Sequence, residues 1–540
     1  MQALLGIDIG TSGCKALLIG IDGAVIAADT ASYPLSQPQL GWAEQDPELW
    51  IEGARRAVAG ALAKAPTLEL LCVGLSGQMH GLVSLDAAHQ VLRPAILWND
   101  QRNSAECKQI TDAAGGLKGL LAATNNRMLV GYTGGKIVWM QQHEPDLFAR
   151  MTTVLNPKDY LRLRLTGEVA TEVSDASGTG LFDVRARQWA SDLIENVGID
   201  RALLPPVFES QVISGQVSAV GAELFGIPKG TPVAGGGGDA VIQTFGSGVI
   251  APGELQTTIG TAGILAATLD TPQANPDGRL QVFCHVVADK WHCMGVSLNA
   301  GGAMSWFRDT FYVGGVGVNM AVPSFDQFTP SDQFTPSDQI TPFFEQTTPS
   351  FAQITPSFEQ IVAEAAASPA GARGLLFLPY LNGERCPHPD PAARGAFIGL
   401  TACHNRGDVV RAVMEGVVHA LVDMHTLMKP LGINGRVVKA SGGGARSPLW
   451  RQMQADIFGC DVLTTEGAAE GAAFGAALVA GLAIGVWPDA TSAAASCRII
   501  TREQPNPATA AVVAEAQRIY RTLYPALRET FAELGDPTFM

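Results

Sequence analysis

Charge is scarce in this 540-residue chain: Asp, Glu, Lys and Arg make up only 16% of it, against roughly a quarter in soluble domains generally. The charge present leans acidic, with 51 Asp plus Glu against 36 Lys plus Arg and a formal net charge of -15. Without clustered basic residues to displace counterions from a phosphate backbone, a nucleic-acid partner is excluded. Nine cysteines, an odd number with no CxxC pair, do not make a disulfide framework and fit reduced thiols, so a cytoplasmic location is expected. Long apolar runs are also missing. The longest, Ala472 to Trp487, is broken by glycines and falls short of the ~20 residues a membrane span needs, so it is predicted as a buried helix and no membrane partner is expected. Met1 to Cys14 has no basic start and carries Asp8 inside its apolar run, which argues against a secretory leader. Two nucleotide signatures are absent as well: GxxxxGK[ST], and GxGxxG followed by the acidic residue of a dinucleotide site.

Hydrophobic residues, at 47%, are abundant enough for a large core, and 60 glycines suit the many close-approach turns of an α/β protein. The length suggests two domains. Strand-like runs cover Ala3 to Ile9, Ala16 to Ile21, Leu70 to Leu75, Gly81 to Leu85 and Val91 to Trp98, early and in quick succession like a meander. The strand, Gly-Thr turn and strand of Gly6 to Leu18 (GIDIGTSGCKALL) are echoed at Gly253 to Leu265 (GELQTTIGTAGIL). Two related α/β halves facing a central cleft follow, one over 1–250 and the other over 251–540.

One segment belongs to neither half. Residues 324–360 read SFDQFTP, SDQFTP, SDQITP, FFEQTTP, SFAQITP, SFEQ, a repeat too short for a solenoid unit. A proline in almost every copy blocks continuous helix and central strand. Ser357 and Gln360, in the last copy, have the spacing of a helix capping box, so the repeat reads as a helix start copied several times in a tolerated loop. Its seven phenylalanines leave open a docking role.

Four glycine-rich motifs carry the chemistry. In Gly6 to Lys15 an acidic residue, Asp8, ends a strand, and the turn Gly10-Thr11-Ser12-Gly13 exposes backbone N–H groups and hydroxyls that suit phosphate oxygens. Asp8 then faces a site for Mg²⁺, directly or through water. In Gly235-Gly236-Gly237-Gly238-Asp239 a run of glycines delivers one carboxylate. Asp239 is the best candidate for a general base toward a substrate hydroxyl; the competing role is N-cap of a helix starting at Ala240. Gly260-Thr261-Ala262-Gly263 and Gly442-Gly443-Gly444-Ala445 are suited to cradle nucleotide. By contrast, zinc is not expected at Cys284-His285 and His292-Cys293, because neighbours on a strand point to opposite faces.

Together these motifs resemble the FGGY family of carbohydrate kinases. Tyr132-Thr133-Gly-Gly-Lys136-Ile-Val-Trp139, Gly395-Ala-Phe397-Ile-Gly399-Leu400 and Asp408 to Glu415 add to the resemblance. The stretches Ser76 to Gly81 (SGQMHG), Leu92 to Arg102 (LRPAILWNDQR), Asn156 to Arg162, Ser174 to Thr179 (SDASGT) and Leu378 to Arg385 (LPYLNGER) are similar to the branch that phosphorylates D-xylulose. The resemblance implies two actin-like (ribonuclease H-like) ATPase domains, ATP and Mg²⁺, transfer of phosphate to O5 of D-xylulose, and a homodimer. Other small sugars and polyols (ribulose, ribitol, glycerol, gluconate) are the alternative substrates, and an actin- or Hsp70-like ATPase switch is the alternative class.

Residue by residue, the resemblance assigns Asp239 as catalytic aspartate and Met79 and His80 as sugar contacts. It assigns Asp8, Thr11, Ser12 and, within the same motif, Lys15 to the first phosphate loop, Gly260 and Thr261 to the second, and Gly443, Gly444 and Ala445 to the adenosine loop. Trp98, Asp100 and Arg102 are suitable further sugar contacts, since a polyol is selected by buried donors and acceptors. Two positions depart from the family pattern: Ala240, where an amide is common after the catalytic aspartate, and Ala262, where a serine is common.

Overall fold

A computed structural model describes residues 1–275, 277–312 and 356–535. The first sheet is built from β1 (Gln2–Ile9), β2 (Gly13–Gly20), β3 (Val25–Ser32), β4 (Glu69–Gly77), β5 (Ile213–Gln216), β6 (Pro232–Ala234) and β7 (Gly237–Gly238). The second uses β8 (Glu254–Ile259), β9 (Gly263–Leu269), β10 (Gln281–Cys284), β11 (Trp291–Ser297), β12 (Val437–Ser441), β13 (Asp461–Thr465) and β14 (Ile499–Glu503). Each sheet has seven strands, ordered β5-β6-β4-β1-β2-β3 with β7 also on β4, and β10-β11-β9-β8-β12-β13-β14.

The two orders share one plan. A meander of three antiparallel strands (β1-β2-β3, β8-β9-β11) is continued on its first strand by parallel strands (β4 and β6, β12 and β13). This is the duplicated, actin-like architecture that the echoed GIDIGTSG and TTIGTAG segments lead one to expect. Parallel pairing matters for function, because it brings the carboxyl ends of β1, β4 and β7 to one edge, and those of β8 and β12 to one edge of the other sheet.

Of the helices, α1 (Pro47–Ala63) covers β2 and β3, starting from Asp46, whose side chain accepts from Glu48 N at 3.0 Å. Four more shape the site: α2 (Thr133–His143), α3 (Val173–Ser177), α4 (Asp239–Gly246) and α5 (Gly301–Phe311). α6 (Phe358–Ala366) begins with the capping box expected at Ser357 and Gln360; the earlier repeat copies, through residue 355, lie outside the described residues. α7 (Arg406–Met428) and α8 (Ala472–Ala483) complete the second half, with α9 (Ala510–Leu534) across its outer face.

The halves exchange helices. α8, from the second half of the chain, lies on β1 and β4, where Gly6 and Gly74 sit side by side in register. A Cβ on Gly6 would come within 1.9 Å of Ala473 O, and one on Gly74 within 1.9 Å of Ala476 O, so the helix seats on a flat strip that only glycine provides. In return α4 reaches the second sheet, where Thr244 Oγ1 donates to Gln256 Oε1 at 2.5 Å and meets His292 Nε2 at 3.0 Å. α4 and α8 also pack against each other, α8 being apolar throughout and almost wholly buried.

Two expectations need correction. The run Val91 to Trp98 is strand only at Ala95–Ile96, paired with Glu44–Gln45; Pro94 lacks the N–H that would extend the ladder. The helix predicted to Trp487 stops at Ala483, just before Gly485 at φ 73°. Of the buried Cys-His pairs, His285 Nε2 lies 3.4 Å from Thr268 Oγ1, His292 Nε2 lies 3.0 Å from Thr244 Oγ1, and Cys284 Sγ donates to Val184 O at 3.4 Å.

Candidate active site

At the carboxyl edge of the first sheet, Asp8 stands beside Ser76, and Ser76 beside Gly237, by direct register of β1, β4 and β7. Asp8 is half-buried and accepts a hydrogen bond from Ser76 Oγ at 2.8 Å. Burial raises its pKa, with Ser76 and Lys15 pulling the other way. Asp239 follows β7 directly and opens α4. It is not the N-cap considered above: that position is Gly238, and Asp239 is the first helical residue, with Oδ1 accepting from Ala240 N at 2.7 Å. The turn before it depends on Gly236 at φ 80°, where a Cβ would lie 2.0 Å from Leu75 O. Burial, then the negative charge of Asp8, push the Asp239 pKa up to about 7, while the N–H groups of Ala240 and Met79 pull it down.

Met79 and His80 follow β4 at the same edge. Met79 is buried, and its side chain lines the approach to Gly238, 2.5 Å from where a Cβ there would sit. His80 takes φ 69°, a left-handed conformation uncommon for a non-glycine residue. Its carbonyl is bound by Thr133 Oγ1 at 3.1 Å and by the buried Lys136 Nζ at 2.7 Å. The ring stacks on Tyr132 at 4.5 Å, and Nδ1 lies 2.7 Å from Gly178 O. A carbonyl only accepts, so the proton is on Nδ1 and Nε2 is left as an acceptor. Burial pushes the His80 pKa down to about 3, keeping the imidazole neutral.

The turn from Gly10 to Gly13 is built into a polar chain. Tyr33 Oη donates to Gly10 O at 2.6 Å, Trp98 Nε1 donates to Thr11 Oγ1 at 2.9 Å, and Thr11 Oγ1 donates to Gln78 Oε1 at 3.1 Å. The Thr11 hydroxyl thus already has protein partners, whereas Ser12 is exposed. Trp98 is 41% exposed, with its indole pinned at the edge. Lys15, across from Asp8 in register, bridges the halves: its ammonium lies 2.6 Å from Glu470 Oε2 and donates to Glu470 O at 3.1 Å.

Asp100 and Arg102 are bound to each other. Asp100 is fully buried and accepts from Ala43 N at 2.7 Å, Arg102 N at 2.9 Å, Arg102 Nε at 2.9 Å and Arg102 Nη2 at 2.7 Å. Its lone pairs are all used. Arg102 also pairs with Glu44 at 2.7 Å and lies 3.5 Å over the Trp42 ring; its Nη1 is buried without an acceptor among the described residues. The two residues expected to bind sugar thus form a buried ion pair in which every lone pair of Asp100 is used, while Arg102 keeps one donor, Nη1, unpartnered among the described residues.

In the second half, Gly260-Thr261 leaves β8 and Gly442 to Arg446 leaves β12. Since β8 and β12 are parallel neighbours, the two loops lie side by side, with Gly442 at φ 76° against Ile259 O. The N-terminus of α5 closes over the first loop: Gly301 N donates to Gly260 O at 2.7 Å, and Ala300 N to Thr261 O at 2.9 Å. Thr261 and Gly443 are exposed, Ala445 is half-buried and Gly444 is buried. Sequence reasoning missed Lys136, Tyr132 and Gly178 as supports of His80. The only signal for them was their place in the YTGGK and SDASGT stretches.

A half-buried carboxylate at the strand ends of one sheet and exposed glycine turns at the corresponding strand ends of the other suit a phosphotransferase built on an actin-like ATPase fold. Comparison with known proteins agrees. Residues 3–246 match the N-terminal domain of the FGGY family of carbohydrate kinases, and residues 255–484 the C-terminal domain. The chain is 36% identical over 468 residues to a xylulose kinase of Bacillus subtilis (86% of this chain, 85% of that one) and 35% identical over 455 residues to a xylulose kinase of Escherichia coli (84% of each). The crystal structure of a xyloylose kinase from Brucella ovis superposes with a TM-score of 0.85 at 32% identity, covering 98% of this chain and 100% of that one. The chain belongs to the FGGY family of carbohydrate kinases.

Proposed function

We propose that this protein transfers the γ-phosphoryl group of ATP to O5 of D-xylulose, giving D-xylulose 5-phosphate and ADP. The observation that carries the reading is Asp239: a carboxylate bound by the Met79 N–H, with its pKa raised to about 7 by burial and by Asp8. It can take a proton from an attacking hydroxyl near neutral pH, where a general base works best. D-Xylulose is chosen because the relatives named xylulose kinase stand at 33–36% identity, whereas a gluconokinase of Bacillus subtilis stands at 29%.

In this reading the O5 hydroxyl donates to Asp239, His80 Nε2 accepts from another sugar hydroxyl, and Trp98 covers a face of the sugar. The backbone of Gly10 to Ser12 and of Gly260-Thr261 holds phosphate, and Gly443 to Ala445 lies beside adenosine. Lys15, through Glu470, ties the two phosphate-facing halves. Mg²⁺ fits the carboxylate chemistry here. Asp8 is a hard oxygen donor beside a second carboxylate, and among the described residues no three His, Cys, Asp or Glu side chains converge into a cage, which suits a cation carried by the nucleotide. Bound there, Mg²⁺ would neutralise charge on the phosphates. Attack then depends on positioning within a closing cleft.

All nine cysteines are free thiols, which supports the cytoplasm as the place of reaction; the described helices include none long and apolar enough to cross a membrane. The test is Asp239→Ala in a coupled ADP assay with D-xylulose. Turnover falls by about 10²-fold or more, within the usual span of general-base effects, with ATP KM little changed. Near-parental turnover would remove Asp239 from the role.

A further inference from the structure

The five residues of α3 sit behind the site, and neither sugar nor nucleotide need touch them. Glu172, just before the helix, is buried, and each of its oxygens accepts twice: Oε1 from Ser174 Oγ at 2.8 Å and Asp175 N at 2.8 Å, Oε2 from Ser174 N at 2.7 Å and Ser210 Oγ at 2.5 Å. Four donors on four lone-pair sites are the pattern of an ionised carboxylate, and the buried Lys158 ammonium lies 3.7 Å away. An acceptor-only partner fixes the direction of the Ser174 hydroxyl, whose hydrogen must point to Glu172. Its lone pair is then turned to Gly238 N, which donates to Ser174 Oγ at 3.0 Å.

Gly238 is the residue before Asp239 and the N-cap of α4. The orientation of its peptide sets where the Asp239 carboxylate points. The same short segment holds the sugar histidine, because Gly178, the residue after α3, supplies the carbonyl bound to His80 Nδ1. It also reaches the opposite half, where Cys284 N donates to Ser177 Oγ at 3.0 Å.

We propose that Ser174, oriented by Glu172, is a positioning residue for phosphoryl transfer: it fixes the Gly238 peptide and so aims Asp239 at the acceptor hydroxyl. The proposal rests on Asp239 being the base. Ser174 is fully buried with its hydroxyl engaged by Glu172 and Gly238, so its loss acts on kcat and leaves ground-state binding intact. Misplacement of a catalytic group by even 1 Å costs up to about 10²-fold.

The test compares Ser174→Ala, Ser174→Cys and Ser174→Thr with the parent by coupled ADP assay, after circular dichroism and a thermal melt establish which variants are folded at the assay temperature. Ser174→Ala lowers kcat about 10-fold or more, with KM for D-xylulose and for ATP within about threefold of the parent. Ser174→Cys, whose sulfur is a weaker acceptor, falls in between and supplies a measurement should the alanine variant not fold. Ser174→Thr, which keeps the hydroxyl, returns kcat to within about threefold. A folded alanine or cysteine variant with parental kcat overturns the proposal. So does a threonine variant as impaired as the alanine one, or a rise in both KM values that accounts for the loss. Asp239→Ala is measured in parallel: if it retains turnover the base assignment has failed, whereas its inactivity beside a fully active Ser174→Ala defeats the positioning role alone.

Discussion

Replacing Asp100 by alanine separates a wall residue from a sugar ligand. The carboxylate accepts two backbone N–H groups and a bidentate guanidinium, all out of contact with solvent. Its removal orphans Ala43 N and leaves Arg102 with Glu44 as its charged partner. Breaking a buried ion pair from one side costs about 3–5 kcal/mol. At about 2–4 °C per kcal/mol for a unit of some 250 residues, the melting temperature falls by roughly 6–20 °C. Differential scanning calorimetry gives the shift, and the sugar KM is measured well below the transition. The structure predicts a large drop in stability with only a modest change in KM, within about fivefold, since Asp100 has no lone pair left for a hydroxyl. An unchanged melting temperature together with a sugar KM raised more than tenfold would refute the reasoning and return Asp100 to the binding set.

Activity should rise with pH along a limb centred near 7 in kcat/KM, because Asp239 must be unprotonated to act and its pKa stands at about 7. Asp8→Asn removes the neighbouring negative charge that raises this pKa, so the limb moves to lower pH while the maximum rate drops; a limb that stays or moves upward contradicts the coupling. His80→Asn keeps a residue tolerant of the left-handed backbone and deletes the ring, so the sugar KM rises about tenfold or more with ATP KM held, consistent with the loss of one buried polar contact. Equal effects on both KM values would place His80 outside the sugar site.

Much of this was legible in the residues, and the exceptions have physical causes. The Gly-Thr turns and the four glycines before Asp239 were visible because tight turns and close backbone approach demand glycine. The echo between the halves was visible because each meander repeats the same strand, turn and strand. The pairing of Asp100 with Arg102 was hidden because a buried ion pair and a substrate-binding pair use the same residue types, and only the positions of Ala43, Glu44 and Trp42 reveal it. Ser174, Lys136 and Gly178 were not singled out, because each meets the site through a group distant in sequence: Gly238 N, His80 O and His80 Nδ1. The exchange of α4 and α8 between the sheets was likewise hidden: Gly6 and Gly74 look like ordinary strand glycines until Ala473 and Ala476 are seen against them.

The central claim is sugar-dependent phosphoryl transfer from ATP with D-xylulose as acceptor. Its most direct test is kcat/KM for D-xylulose, ribulose, ribitol, glycerol and gluconate at fixed MgATP, with the product of the best acceptor identified by ³¹P NMR. The account predicts the highest kcat/KM with D-xylulose and a phosphate monoester at O5. A higher value with gluconate or another acceptor would contradict the substrate, and ATP hydrolysis indifferent to every sugar would contradict the kinase.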